Sequence, residues 1–536
     1  MGAKVREFAP RAVAGALAGV FFGLAFPPVG WWPLALVAIA ALYLAVRHQS
    51  PLAGAGIGWC FGFAFFMVLV PWLTVIGSDT WVGLSAFQGV FYAALGAGLA
   101  WVSRLRIWPV AAACCWVAVE WARGSLPWGG LPWGKLPFGL VDSPIAGWSR
   151  YVGVSGLALI TVTATLLVVL AILTGGGIRW RVVSAVAGVA LLAGGAAVPL
   201  DVAGDRGDRA TVAAVQGGVP GSGLDPFDEQ RVVLQNHARV THRLADDVRA
   251  GETPRPDVVL WPENSTDIDP YRDQAAGDTI ADAVDDVGVP TLVGAVGAPP
   301  GQIGPQNLGI VWHPGDGPGQ AYAKRHLVPF GEYIPMRSML EPHIDRLRYV
   351  GRDLVPGDRP GSLRLGDTTV GTVICFEVAY DDAIRDVVEE GAQLLVVQTN
   401  NATYQETGQL EQQWAISRLR AIETGRAVAV AATNGISGIV LPDGTVLERT
   451  DGPAARVLVA DVPLASGMTL GSQVSGWLDI GASAVALGAV AWALWLARRK
   501  RERGGDGLAA GRGPDVQRVG AAAGGHGAAA PSGARR

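Results

Sequence analysis

Apolar positions along this chain form long uncharged runs near both ends and short runs in the middle. Uncharged stretches lie at about 12–27, 31–46, 52–76, 81–102, 107–119, 152–174, 182–200 and 480–496. A helix needs roughly 17–25 apolar residues to cross the hydrocarbon core of a bilayer. The runs at 12–27, 31–46 and 107–119 fall just short of that length. The pattern therefore predicts a membrane α-helical bundle of about eight helices. Between 201 and 477 the period changes. TVAAVQ, DVVLWPE, PTLVGAV, NLGIVWH, TVICFE, AQLLVVQTN and AVAVAAT read as strands, and amphipathic stretches near 228–250, 275–287, 378–390 and 409–425 read as helices. Such alternation predicts a layered α/β domain. The expected division is 1–200 for seven helices, 201–477 for the α/β domain and 478–497 for the eighth helix. Residues 498–536, basic and rich in Gly and Ala, predict a disordered cytoplasmic tail.

Charge sharpens this division. Only 16% of the 536 residues are charged, against about 25% in ordinary soluble domains. Residues 1–200 carry a net charge of +7, residues 201–496 carry −17 and the remainder carries +6. An apolar front, an acidic middle and a basic end exclude a simple soluble enzyme. They also argue against a nucleic-acid partner, since the large polar region is the acidic one. Sixteen of the 19 Trp lie before residue 200 or after residue 470, as a bilayer interface requires. With the N-terminus inside, Arg47, Arg104, Arg106, Arg179, Arg181 and the run at 498–501 all fall on the inner side. That is the positive-inside pattern, despite Arg123, Lys135 and Arg150 in one outer connection, and it places 201–477 outside the cytoplasm. Lys4, Arg6 and Arg11 precede the first apolar run without a small-residue cleavage site, so the run reads as a retained span. Gly15, Gly19 and Gly23, and likewise Gly54, Gly58 and Gly62, form ridges that let helix backbones approach. The connection 123–150 reads as an interfacial loop with Trp128, Trp133 and Trp148 at headgroup depth, or as a surface that admits lipid.

Three segments place a reactive residue near a strand end. They are VVLWPEN with Glu263, YAKRHLVPFGEYIP with Lys324 and Glu332, and TVICFEVAYDD with Cys375. Cys60, Cys114 and Cys115 sit in apolar runs and read as small hydrophobes, so the acidic region has no internal disulfide. A cysteine where a strand meets a helix can have its thiolate stabilised by N-terminal N–H groups and a nearby cation. Each segment alone also has a plain reading, as buried packing for the Cys and solvated charge for the Lys or Glu. His237 and His242 are five apart, wrong for one helical face, and no Cys/His cluster exists, so no metal is expected. No nucleotide loop appears, and no cofactor is called for.

Together the three segments resemble the nitrilase superfamily, whose Glu–Lys–Cys triad occurs in this chain order. Their flanks narrow the likeness. WPE, K-x-H-L-V-P-F-G-E, I-C-F-E and the later RLRAIETGR and ATNGISG resemble the apolipoprotein N-acyltransferase family, over nearly all of residues 10–497. The resemblance implies a multi-pass protein of the bacterial plasma membrane, with an extracytoplasmic nitrilase-like α-β-β-α sandwich. It implies Cys375 as nucleophile, Glu263 as general base and Lys324 as oxyanion stabiliser, with Glu332 and Glu377 in support. It further implies a phospholipid acyl donor and a diacylglyceryl-lipoprotein acceptor. The chemistry needs these types: a thiol mostly protonated at neutral pH requires a base, and the tetrahedral oxyanion requires a fixed positive donor. His326 is a rival base on spacing alone and is read as structural. Phe376 stands where many relatives carry Tyr, and Asn401 and Thr403 where many carry Asp and Trp. Two other readings share the motifs: a membrane-tethered nitrilase-type amidase or hydrolase, in which water resolves the thioester, and a catalytically silent scaffold.

Overall fold

The computed structural model describes residues 2–173, 177–219, 231–266 and 268–509. Seven helices come first: α1 (Gly2–Leu24), α2 (Pro33–Val46), α3 (Pro51–Leu69), α4 (Ser78–Val102), α5 (Trp108–Ser125), α6 (Ser149–Leu173) and α7 (Ile178–Gly194). Proline starts α2 and α3, where its missing N–H costs nothing, and the Ser50 hydroxyl caps α3 by accepting from Ala53 N. The glycine ridges are contact lines. A Cβ on Gly19 would stand 2.1 Å from the Phe61 carbonyl, and one on Gly58 the same distance from that of Tyr92. Glycine thus sets how closely α3 packs on α1 and on α4. Among the described residues, five helical stretches are long and apolar enough to cross a membrane: α3, α4, Ala146–Leu173, Ile178–Ala197 and Leu470–Arg499. α1, α2 and α5, the three whose runs are short in sequence, are not among them.

The α/β region follows in the order β1 (Arg209–Gln216), α8 (Val232–Ala250), β2 (Val258–Leu260), α9 (Gln274–Val287), β3 (Thr291–Gly297), β4 (Gln306–His313), β5 (Gly317–Ala323), α10 (Arg337–Leu340), β6 (Ser362–Leu365), β7 (Thr368–Ile374), α11 (Asp381–Glu389), β8 (Leu394–Thr399), α12 (Gly408–Thr424), β9 (Val428–Ala432), β10 (Gly438–Val440), β11 (Val446–Arg449) and β12 (Arg456–Pro463). Two six-stranded sheets form, ordered β12-β1-β2-β3-β4-β5 and β11-β10-β9-β8-β7-β6. Strand alternation divides the core. Val212 and Ala214 of β1 face the second sheet with Val258, Leu260, Val396 and Ala429, while Ala213 and Val215 face α8 and α9. The second sheet carries α11 and α12 on its own outer side, completing the α-β-β-α sandwich.

The sandwich leaves and rejoins the helices at one place. β1 and β12 pair antiparallel with Arg209 opposite Pro463, and the N–H groups of Ser466 and Gly467 both donate to the Ala203 carbonyl. The last helix, α13 (Leu470–Ala509), begins eight residues before the expected 478 and carries the basic run 498–501 on it. The early start has a cause: the Thr469 hydroxyl accepts the Ser472 N–H at 3.0 Å and donates to the Glu423 carbonyl, so the polar stretch before the apolar run is capped and fastened as the first turns of the helix. Residues 510–536 of the expected tail lie outside the described residues.

Candidate active site

Cys375 follows the last residue of β7 and opens a short helical turn, Cys375–Ala379. Its φ of 55° lies in the left-handed region, disfavoured for a residue with a Cβ, so the surrounding contacts must hold it there. They are explicit. Glu377 folds its carboxylate back to accept the N–H of Ile374 at 2.8 Å, and it also accepts the Tyr322 hydroxyl and the N–H groups of Arg325 and His326. Glu377 thus ties the turn that Cys375 opens to the loop after β5. On the far side Arg420, fully buried on α12, donates to the carbonyls of Val378 and Ala379 and to Asp381 and Glu423.

Lys324, just after β5, is 1% exposed. Its Nζ lies 3.2 Å from Glu263 Oε1 and 3.0 Å from Glu332 Oε1. Burial alone would lower its pKa, but Glu263 and Glu332 outweigh it and hold the ammonium well above the usual lysine range. Asn307 of β4 donates Nδ2 to both carboxylates, at 2.7 and 2.8 Å, fixing the same oxygens that meet the lysine. The second oxygen of Glu263 accepts the N–H of Asn400 at 2.8 Å, at the end of β8, the strand beside β7. That of Glu332 accepts the N–H of Val328 at 2.7 Å. Cys375 is half-buried and feels this cluster. Burial and the Glu263 charge push its thiol up to about 12, while Lys324 and the Thr399 hydroxyl pull the other way. At rest the thiol is therefore protonated, beside a carboxylate that can take the proton and an ammonium that can face an oxyanion.

The membrane part supplies one wall. Trp133 is 3% exposed, stacks on Phe376 at 5.8 Å and donates its indole N–H to Gln412 of α12 at 2.8 Å. Trp72, from the turn after α3, donates to the same Gln412 oxygen and meets Tyr404 edge-on. Trp133 is therefore enclosed by protein and not open on its loop, because the stacking and the Gln412 bond hold it inside; Trp128 stays exposed. Lys135, buried on the same loop, meets Asp381 at 2.6 Å. Burial would raise the Asp381 carboxyl, but Lys135 and Arg420 outweigh it and hold it at about 2.

The geometry brings Glu263, Lys324 and Glu332 into direct contact and sets Cys375 against them, with Glu377 supporting the turn. His326 is apart, paired with Asp382 at 2.9 Å and stacked on Tyr380. His237 is buried against the Val233 carbonyl. Phe376, without a hydroxyl, serves as a ring between Trp133 and Tyr380. Asn401 is buried and accepts the Thr399 hydroxyl, and Thr403 lies on a one-turn helix. Asn307 and Gln412 carry no sequence signal of their own, since Asn in a strand and Gln in a helix are unremarked until their partners are known; Trp133 reads in sequence only as an interfacial residue, and Arg420 only as part of RLRAIETGR.

Two sequence profiles divide the chain as the fold does. That of the apolipoprotein N-acyltransferase N-terminal domain matches residues 18–196, ending just past α7. The carbon-nitrogen hydrolase profile matches 212–469, from within β1 to the residue before α13. An apolipoprotein N-acyltransferase of Mycolicibacterium smegmatis is 36% identical over 463 residues, covering 81% of this chain and 76% of that protein. The chain belongs to the apolipoprotein N-acyltransferase family. A relative of that name from Ralstonia nicotianae is 30% identical and covers 93% of this chain and 95% of its own length. Among solved structures, an amidase of the nitrilase superfamily from Nesterenkonia AN1 is 20% identical with a TM-score of 0.36, covering 48% of this chain and 92% of that one. Family membership and the apolar helices make this a membrane protein with a nitrilase-like domain.

Proposed function

We propose that this protein transfers an acyl chain from a membrane phospholipid to the free α-amine of the N-terminal diacylglyceryl-cysteine of a lipoprotein, through a thioester on Cys375. Glu263 takes the thiol proton as sulfur attacks the ester carbonyl, and Lys324 faces the oxyanion together with an N–H of the turn after Cys375. The ester C–O bond breaks, Glu263 returns the proton to the leaving oxygen, and a lysophospholipid departs. The acceptor amine then attacks the thioester and gives its proton to Glu263. The C–S bond breaks to leave an amide, and the proton returns to sulfur. Glu332 and Asn307 position Lys324 and Glu263, and Glu377 positions the turn.

One observation carries this reading: a buried lysine held by two carboxylates stands against a cysteine whose neighbouring ring, Phe376, packs under Trp133 of the membrane loop. A site walled by the membrane part suits substrates anchored in a bilayer. The arginines at 47, 104, 106, 179 and 181 support a multi-pass protein of the plasma membrane with residues 201–469 outside the cytoplasm.

Intact-protein mass spectrometry tests the mechanism. Purified protein given phospholipid without acceptor should gain one acyl mass on Cys375. A diacylglyceryl-cysteine peptide should discharge it as an N-acylated peptide, and an N-acetylated peptide should not. Rapid release of free fatty acid, with no amide formed when the peptide is present, would favour the amidase-like hydrolase reading instead.

A further inference from the structure

A cleft of about 590 Å³ opens beside the nucleophile turn, between the loop after α5, the first turn of α11 and the start of α13. Cys375, Glu263 and Lys324 do not line it. Its wall toward them is Tyr380, whose ring lies flat on His326 at 3.9 Å and edge-on to Phe376 at 5.4 Å. Charge inside the cleft is unbalanced. Asp381, Asp382, Glu389 and Asp479 line it with only two fixed cations, Lys135 and Arg385. Both are engaged, Lys135 by Asp381 at 2.6 Å and Arg385 by Asp386 at 3.0 Å and Glu389 at 3.7 Å, and Arg420 behind the wall also meets Asp381 at 2.7 Å, which leaves Asp382 and Asp479 as the carboxylates without a fixed cation of their own. Asp479 is 5% exposed on a helix long and apolar enough to span a membrane, a costly place for a carboxylate that shares its cation. Asp382 pairs with His326 at 2.9 Å, beside Asp381 and beside Arg325, whose guanidinium is already bonded to Asp386.

The open side has the opposite character. Trp121 of α5 and Trp477 and Ile480 of α13 line it and are 41%, 76% and 53% exposed. Space is kept by glycine, since a Cβ on Gly476 would stand 2.8 Å from the Arg385 guanidinium. Excess carboxylate at depth and bare aromatic surface at the rim fit a cation carried on a lipid.

We propose that this cleft binds a lipid-borne primary ammonium group, with its cation between Asp382 and Asp479 and its chains along Trp121, Trp477 and Ile480. Two sources carry that chemistry, the ethanolamine headgroup of a phospholipid and the free α-amine of a diacylglyceryl-cysteine. The second source makes the cleft a holding place for the acceptor and rests on the function proposed above.

Native mass spectrometry of the full chain as Cys375→Ala separates them. Without the thiol no acyl group moves, so retained lipid reports binding alone, and the acyl-enzyme experiment succeeds or fails independently. The probes are dioleoylphosphatidylethanolamine, dioleoylphosphatidylglycerol, and a diacylglyceryl-cysteinyl dipeptide with a free or an acetylated amine. At least one free amine should be retained about tenfold or more over phosphatidylglycerol, the scale of one added buried charge pair. Retention of the ethanolamine lipid alone assigns the cleft to phospholipid, and retention of the dipeptide alone assigns it to the acceptor. The advantage should vanish in Asp382→Asn and Asp479→Asn, which keep shape and remove charge, and in Gly476→Leu, which fills the space. The asparagine variants keep the test decisive if leucine disturbs folding. Equal retention of amine and phosphatidylglycerol, or a preference untouched by the asparagine variants, would overturn the assignment.

Discussion

Cys375 is held in a left-handed conformation with a thiol pushed to about 12, so its resting form is the protonated one, and in the mechanism proposed above its reactivity is borrowed from Glu263. This gives two readouts that move in opposite directions. The thiolate is the form that reacts with iodoacetamide, so alkylation should be slow at neutral pH and rise as pH climbs toward 12. Glu263→Gln removes a charge that raises the thiol, so alkylation at a given pH should become faster while acyl transfer is lost. Slower alkylation in that variant would contradict the arrangement. Lys324→Ala should cost at least about 3 kcal/mol of transition-state stabilisation, read from kcat/KM, by analogy with lost oxyanion donors. At this scale the site was legible where a motif fixes a residue to a strand end: WPE, the lysine motif and the cysteine motif each deliver a side chain that meets the others. Glu332 stands out with Lys324 in its segment, but its supporting role, and Glu377 altogether, were legible only through the family likeness; their tasks differ, one on the lysine and the other on the turn. Asn307 was invisible because its task, bridging two carboxylates 44 and 25 residues away, exists only after β4 has paired with its neighbours.

Elements carry the next layer. Gly58→Leu should drive α3 and α4 apart, since its first added carbon already meets the Tyr92 carbonyl at 2.1 Å. Loss of a monodisperse peak in detergent, with Gly83→Leu unaffected because nothing lies within 4 Å of it, would check this. Lys135→Met breaks the buried pair that fastens the membrane loop to α11 and should cost about 3–5 kcal/mol, measured as a lowered Tm. The Asp381 carboxyl is held below its ordinary value of 3.8, so the pair's contribution is present above that pH and is lost as pH falls toward 2. Among the described residues, the eight apolar helices and the seven inner strands were readable because a long uncharged run or burial on two faces leaves a strong pattern, although the runs of α1, α2 and α5 are short. β5, β6, β11 and β12 were not read, and they are the edges of the two sheets. An edge strand is covered on fewer sides, so polar and glycine residues enter it and the period fades, as in GPGQAYA of β5. β10, three residues long, is too short to show a period.

For the whole molecule, orientation is the open expectation. A single cysteine introduced at Asp316 should react with an impermeant thiol reagent on intact cells, and one at Arg106 should not; the reverse pattern would place the sandwich in the cytoplasm and remove its lipoprotein substrate. Trp133, Trp72 and Lys135 come from the helical part and touch the catalytic turn or its supports, so residues 201–469 expressed alone should fold without turning over. A further consequence lies in the junction, where Ala203 hydrogen-bonds Ser466 and Gly467 and β1 runs beside β12. Cα atoms paired this way are about 5 Å apart. The outgoing and returning chains thus form a single stem, and to the helices the sandwich is a detachable cassette. A linker of two or three residues could close the gap after its excision, and a different domain with adjacent termini could be spliced onto the same stem without asking α7 or α13 to move.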